Sequence, residues 1–317
     1  MIKGVEMQPI DLTGQVAVVT GSGRGLGLAF AQALARAGAA VVVNDVDPAA
    51  ANQAVESIVS AGGLAVAEVV AVGSGEAADR LVSRAVDSYG RLDIMCTNAG
   101  ILRDKVLWNL RDEEFDEVVE IHLRGSFTCA RAAVRRMREQ GQGGRVVLLA
   151  SISGQRGNFG QTNYAAAKAG IAAFARTWAL ECARSNITVN AIVPAAMTQM
   201  VATIPALKPY AEAAARGEPL PAALRSGLGL GLPEDVAPLL VFLASKHAEH
   251  ISGQCIGIGG DKLSLWSHPK EVRAAYREGG WSAEAIAETW ATSVGQQLET
   301  YGDEIKLPVS PQDGGSS

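Results

Sequence analysis

Short runs of β-branched and apolar residues alternate with helical stretches along most of this chain, and that alternation constrains its fold more than any other feature. "QVAVVTG" leads into "LGLAFAQALARAGA", "AVVVNDVD" into "PAAANQAVESIVSAGG", and "LAVAEVVAV" into a helix over 76–89. "LDIMCTNAG" precedes a long helical region over 112–140, and "GRVVLLASISG" a helix over 162–184. "ITVNAIVP" precedes the helix in "EDVAPLLVFLASK", and "GQCIGIGG" reads as a last strand. Strands apolar on both faces belong in a sheet covered on both sides. With helices between them they predict a doubly wound parallel α/β sheet, Rossmann-like, of about seven strands. Ligands of such sheets bind beyond the carboxyl ends of the strands.

Two stretches stand outside the repeat. Residues 199–230, rich in Ala, Pro and Gly, separate a strand from a helix and have the length of a mobile substrate flap. Residues 262–317 form a C-terminal extension to a catalytic domain over 1–261. They read as two helices broken at Gly279-Gly280 and a disordered polar tail, "SPQDGGSS". Trp266, Trp281 and Trp290 offer apolar surface to dock the extension, either over the substrate site or at a dimer interface.

Composition excludes several classes of function. A chain of 317 residues with net charge −5 and no basic block has no electrostatic footprint for nucleic acid. No run approaches the roughly 18 apolar residues of a membrane span, and the opening "MIKGVEMQPIDLTGQ" has no secretory core. Cys96, Cys129, Cys182 and Cys255 stand far apart, as free thiols of a reducing, cytoplasmic compartment do. With His122, His247, His250 and His268 they form no ligand pattern, so no metal is expected.

"TGSGRGLG" joins the first strand to the first helix, with Gly21, Gly25 and Gly27 allowing a sharp turn and close approach of a pyrophosphate. Ser22, Arg24 and Leu26 complete the turn, and the helix N-terminus offers free N–H groups to phosphates. The second strand ends in Asn44-Asp45. A carboxylate there accepts the ribose hydroxyls of NAD and repels the 2'-phosphate of NADP; the alternative for Asp45 is a helix-capping or turn residue. Arg24 argues the other way, as a cation for that phosphate.

Tyr164 and Lys168 lie four apart in "YAAAK", on one face of a helix. A phenol with a reference pKa near 10 needs a neighbouring cation to serve as a base at neutral pH, and Lys168 supplies one. Ser151, at the end of "RVVLLAS", stands where a hydroxyl could hold a substrate oxygen.

These motifs together resemble the short-chain dehydrogenase/reductase family over roughly residues 11–261: "TGSGRGLG", "NAG" at 98–100, Ser151 and "YAAAK". The resemblance implies a catalytic Tyr164, a Lys168 that binds the nicotinamide ribose, and a Ser151 that orients the substrate carbonyl. It assigns Asn98, Ala99 and Gly100 to the cofactor-side strand, with Asn98 bracing it. Ser153 is the reserve for Ser151, or a turn serine. Three departures from the family pattern stand out. "HLRGSF" puts His122 where an asparagine usually props a water beside the lysine. There it is a fourth catalytic member or a histidine that packs the helix. "PAAMT" replaces the usual "PG", leaving Pro194 with Val193 and Thr198 to reach the carboxamide. No acidic residue follows the third strand in "VAVGSG", so adenine contacts there fall to backbone.

"NAGILRDK", "HLRGSF", "GNFGQTNYAAAKAGI" and "GGWSAEAIAETW" resemble one branch of that family. It holds the hydroxyacyl-CoA dehydrogenase unit of peroxisomal multifunctional enzymes and bacterial hydroxysteroid dehydrogenases. The branch implies NAD-dependent oxidation of a (3R)-hydroxyacyl-CoA or a 17β-hydroxysteroid. A homodimer or homotetramer is expected. An NADPH-dependent 3-oxoacyl thioester reductase is the alternative enzyme, and a non-catalytic NAD-binding subunit the alternative of another class.

Overall fold

The computed structural model describes residues 9–198 and 205–299. Among these, the strands β1 (Val16–Val19), β2 (Ala40–Asp45), β3 (Leu64–Val69), β4 (Ile94–Thr97), β5 (Gly144–Leu149), β6 (Ile187–Pro194), β7 (Cys255–Gly259) and β8 (Lys262–Trp266) form one sheet. Their order is β3-β2-β1-β4-β5-β6-β7-β8, parallel throughout except for the β7–β8 hairpin. The chain reverses direction across the sheet between β1 and β4, which opens a crevice at their carboxyl ends.

Period-two alternation sends each strand's side chains into two cores. Ala17, Val19, Val41 and Val43 face α1 (Gly25–Arg36), α2 (Pro48–Ser60) and α9 (Pro233–Ala244). Val16, Val18, Ala40 and Val42 face α3 (Gly75–Tyr89), α5 (Gly125–Gln140) and α7 (Thr162–Cys182). The doubly wound reading is therefore the observed one. Start and stop chemistry is local: Asp47 caps α2 ahead of Pro48, Ser74 caps α3, and Gly90 ends α3 at φ 82°.

Four segments differ from expectation. The helical region over 112–140 is α4 (Asp112–Val119), a π turn over Glu120–Arg124 and then α5. A short helix, α6 (Ile152–Arg156), follows β5 with Ser151 as its N-cap, where no helix was expected. The segment after β6 is in part outside the described residues. From 205 it is helical, with α8 (Lys208–Ala215), a π turn over Ala223–Leu228 and a small core of Met197, Leu207, Leu220, Leu224 and Leu230.

The extension departs most. Residues 262–266 form β8 rather than helix, because Gly260 at φ 51° turns the chain back onto β7. No helix forms from 267 to Gly280. Val272 is 64% and Tyr276 91% exposed, so the expected helix has nothing to pack against, and short helices without packing are marginal. Only α10 (Ala283–Thr289) matches the second expected helix. Trp266 packs against the core, whereas Trp281 and Trp290 stay 40% and 44% exposed. The tail "SPQDGGSS" lies outside the described residues.

Candidate active site

The glycine turn is shaped by sterics. Gly21 holds φ 61°, and a Cβ on it would stand 2.7 Å from Ala99 Cα. A Cβ on Gly27 would overlap the Gly21 carbonyl oxygen, so only glycine lets α1 approach the turn. Gly25, at φ 56°, starts α1, and the first-turn N–H groups through Leu26 have no intrahelical acceptor. Ser22 is buried and turned inward. Its N–H donates to Asn44 O at 2.7 Å and its hydroxyl to Val19 O at 2.7 Å, so it locks the turn rather than facing a ligand.

Asp45 closes the β2 end of this crevice. Its Oδ2 accepts the Gly23 N–H at 3.1 Å and its Oδ1 the Asp47 N–H at 3.1 Å. The cap of α2 is Asp47, not Asp45. Arg24 is exposed and paired with Asp47 at 2.6 Å. From β4, Asn98 Nδ2 donates to the carbonyls of Thr20 and Gly21 at 3.0 and 2.9 Å. The N–H groups of Asn98 and Ala99 converge on Thr20 Oγ1 at 2.9 and 3.0 Å. Asn98 thus staples the β1 turn to β4.

β5 and α7 bring the reacting candidates together. Ser151 Oγ accepts the Ser153 N–H at 3.2 Å, and its hydroxyl lies close enough to Tyr164 to influence its ionisation. Ser153 instead donates to Gln161 Oε1 at 2.8 Å, away from Tyr164. Lys168, 4% exposed, donates to Leu149 O at 2.5 Å and sits 5.6 Å from the Tyr164 ring centroid. Burial lowers the Lys168 pKa to about 7. The same burial pushes Tyr164 above the ordinary phenol range. The Ser151 hydroxyl pulls it back, and the Asp104 carboxylate pushes it further up. The expected depression of the Tyr164 pKa is thus outweighed in the protein chain by desolvation.

His122 lies in the π turn and is 2% exposed. Its Nε2 is 3.0 Å from the Ile101 nitrogen and 2.8 Å from the Ile101 oxygen, while Nδ1 has no partner. The ring meets Tyr164 edge-on at 5.1 Å, and a Cβ on Gly100 would overlap it. Burial first and the Lys168 charge second lower its pKa to about 3. Pro194 ends β6, and Thr198 lies partly buried beyond it.

Sequence reasoning missed Gly23, Thr20, Asn44 and Gln161. Gly23 has a detectable signal, since a Cβ there would stand 2.7 Å from Asp45 Oδ2. The others act through contacts between distant segments. A dinucleotide fits these residues: the turn leaves N–H groups for phosphates, Asp45 lies beside it, and Lys168 and Tyr164 face the same carboxyl edge.

The profile of the family described as enoyl-(acyl carrier protein) reductase matches residues 21–260. The chain is 37% identical over 292 residues to the peroxisomal multifunctional enzyme type 2 of Mus musculus, spanning 89% of this chain and 37% of that enzyme's length. It is 39% identical over 292 residues to the hydroxyacyl-CoA dehydrogenase ChsB1 of Mycobacterium tuberculosis, covering 88% of each. It is 35% identical over 250 residues to the 3-oxoacyl-(acyl-carrier-protein) reductase FabG of Thermotoga maritima, covering 78% of this chain and 98% of that one. Among solved structures, a short chain dehydrogenase from Mycobacterium avium matches with a TM-score of 0.80 and 33% identity, over 93% of this chain and 100% of that chain.

Proposed function

The chain belongs to the short-chain dehydrogenase/reductase family, and from that premise we propose that it oxidises a (3R)-hydroxyacyl-CoA, or a 17β-hydroxysteroid, with NAD. As a family member it is an oxidoreductase of CH–OH groups that uses a nicotinamide cofactor. The observation that carries the chemistry is the convergence of Ser151, whose hydroxyl pulls the Tyr164 pKa down, and Tyr164 beside buried Lys168, 5.6 Å from the Tyr164 ring centroid. NAD in particular is supported by Asp45 at the turn and by the commitment of Arg24 to Asp47.

The first-turn N–H groups of α1, from Gly25 through Gly27, would hold the pyrophosphate, with Gly21 letting it approach and Asp45 holding the ribose hydroxyls. Ala99, Gly100, Lys168, Pro194 and Thr198 would hold the nicotinamide end. When bound, NAD supplies the acceptor for the hydrogen leaving the carbinol carbon. Ser151 donates a hydrogen bond to the substrate oxygen, and Tyr164, as phenolate, takes the hydroxyl proton. The Lys168 ammonium and the Ser151 hydroxyl offset the cost of a buried phenolate. Gly100 keeps the place of His122, so that its ring orients Tyr164.

Homo-oligomerisation belongs to the same reading. It is supported by an incompletely buried aromatic cluster, in which Phe174 stacks on Trp178 at 4.3 Å and Phe127 joins them. The cytoplasmic compartment rests on buried, unpaired Cys96, Cys129, Cys182 and Cys255. Among the described residues no helix is long and apolar enough to cross a membrane. The reductase relative favours a second reading, NADPH-linked reduction of a 3-oxoacyl thioester. That reading requires Arg24 to leave Asp47. The test is NAD-linked oxidation of short, long and steroid-side-chain (3R)-hydroxyacyl-CoAs and of a 17β-hydroxysteroid, with kcat/KM compared for NADH and NADPH. Oxidation of a hydroxyacyl-CoA with NAD preferred is the expected result; preference for NADPH would overturn the reading.

A further inference from the structure

The loop after β4 and the loop after β5 meet at one side chain. Gln161 donates through Nε2 to Asp104 Oδ2 at 2.9 Å. Its Oε1 accepts the Ser153 hydroxyl at 2.8 Å and the Asn158 amide at 3.0 Å. The backbone reinforces the junction: Lys105 N–H donates to Gly160 O at 2.8 Å, and a parallel bridge pairs Lys105 with Gln161. Ser153 is 5% exposed, and its N–H donates to Ser151 Oγ at 3.2 Å. The Ser151 hydroxyl in turn acts on Tyr164, in the first turn of α7, pulling its pKa down. The hydrogen bonds therefore run from Asp104 through Gln161 and Ser153 to Ser151, the member of the reacting pair that faces Tyr164.

Gln161 occupies the N-cap position of α7 yet makes no side-chain cap bond. Ser, Thr, Asp or Asn at that place would add about 1 kcal/mol of helix stability. Its amide is engaged instead on two other segments, at both its donor and its acceptor end. We propose that Gln161 is a positioning residue that sets Ser151 against Tyr164, with Ser153 carrying the constraint and Asp104 anchoring it. This rests on the reading of Ser151 and Tyr164 as the reacting pair. The charged or titratable groups facing that pair are Asp104 from the loop after β4, Lys168 from α7 and His122 from the π turn. The neighbours of Asp104 are already paired, Arg103 with Glu117 and Lys105 with Glu114.

The test uses the full chain, NAD and the (3R)-hydroxyacyl-CoA that wild type oxidises fastest. Gln161→Leu should lower kcat about tenfold or more, as misplacement of reacting groups does, while the KM for NAD stays within about twofold. Gln161→Glu should also lose activity, because its carboxylate faces Asp104. Adding Asp104→Asn should restore kcat to within about threefold of wild type, since an amide then donates to that carboxylate while Ser153 keeps its acceptor. Ser153→Ala, the milder variant, should lose kcat in the same direction. The proposal is overturned if Gln161→Leu and Ser153→Ala both stay within about twofold of wild type, or if the double variant is no better than Gln161→Glu. Tyr164→Phe separates the two readings. Retained turnover there would sink the assignment of the reacting pair, whereas an inactive Tyr164→Phe beside an unaffected Gln161→Leu sinks only the positioning role.

Discussion

Burial keeps His122 neutral: its ring is 2% exposed, the Lys168 charge lies nearby, and its pKa falls to about 3. In the unfolded chain the imidazole titrates near 6.5. Between those values the unfolded state binds the extra proton, so stability is fully present above about 6.5 and is lost as pH falls toward about 3. At pH 5 the loss amounts to about 2 kcal/mol. His122→Asn removes the titration. Urea unfolding at pH 7 and pH 5 should show wild type losing about 2 kcal/mol more than the variant, and parallel losses would refute a buried neutral imidazole. Tyr164, Lys168 and Ser151 were legible because one helical spacing and one strand end place them. The bond from Gln161 to Asp104 was not, because it joins residues 57 apart that meet only once two loops fold together.

At the scale of elements, α6 and α7 pack backbone to backbone. A Cβ on Gly154 would stand 2.5 Å from the Lys168 carbonyl carbon and 2.6 Å from the Ala169 nitrogen. Neither neighbour is the flexible end of a side chain, so Gly154→Ala must push α6 away from α7. Ser151 caps α6 and Tyr164 belongs to α7, so the shift should separate the two hydroxyls. The expected cost is about 1–3 kcal/mol of stability by urea unfolding, with a fall in kcat larger than that in KM. A variant with wild-type kcat would show that α6 does not position Ser151. The sequence of α6, "ISGQR", gave no helical signal, because five residues are too short for a periodic pattern. The π turn was hidden for a different reason: Glu120–Arg124 continues the apolar spacing of the helices around it, and only the backbone reveals the extra residue.

At the scale of the whole molecule, the doubly wound order was readable from strand and helix alternation, but the last strand was not. "KEVRAAYRE" has helical spacing and favours a helix in the extension, whereas "KLSLW" next to the turn at Gly260 is too short to announce a strand. β8 matters to the sheet because it covers the edge of β7 and lays Trp266 against Cys255 and Gly257, with Arg156 of α6 5.2 Å from its ring centroid. That edge would otherwise present unpaired backbone groups. A chain ending at Gly260 should therefore unfold several degrees lower, or aggregate, whereas a chain ending at Pro269 should keep its Tm within about 3 °C of the full chain. The asymmetry follows from packing: Leu263 and Leu265 are 68% and 67% exposed, so what β8 contributes is backbone pairing and the Trp266 ring. Thermal unfolding of both truncations checks this. Equal Tm values would mean that β7 is stable as an edge strand and that β8 serves something outside the sheet.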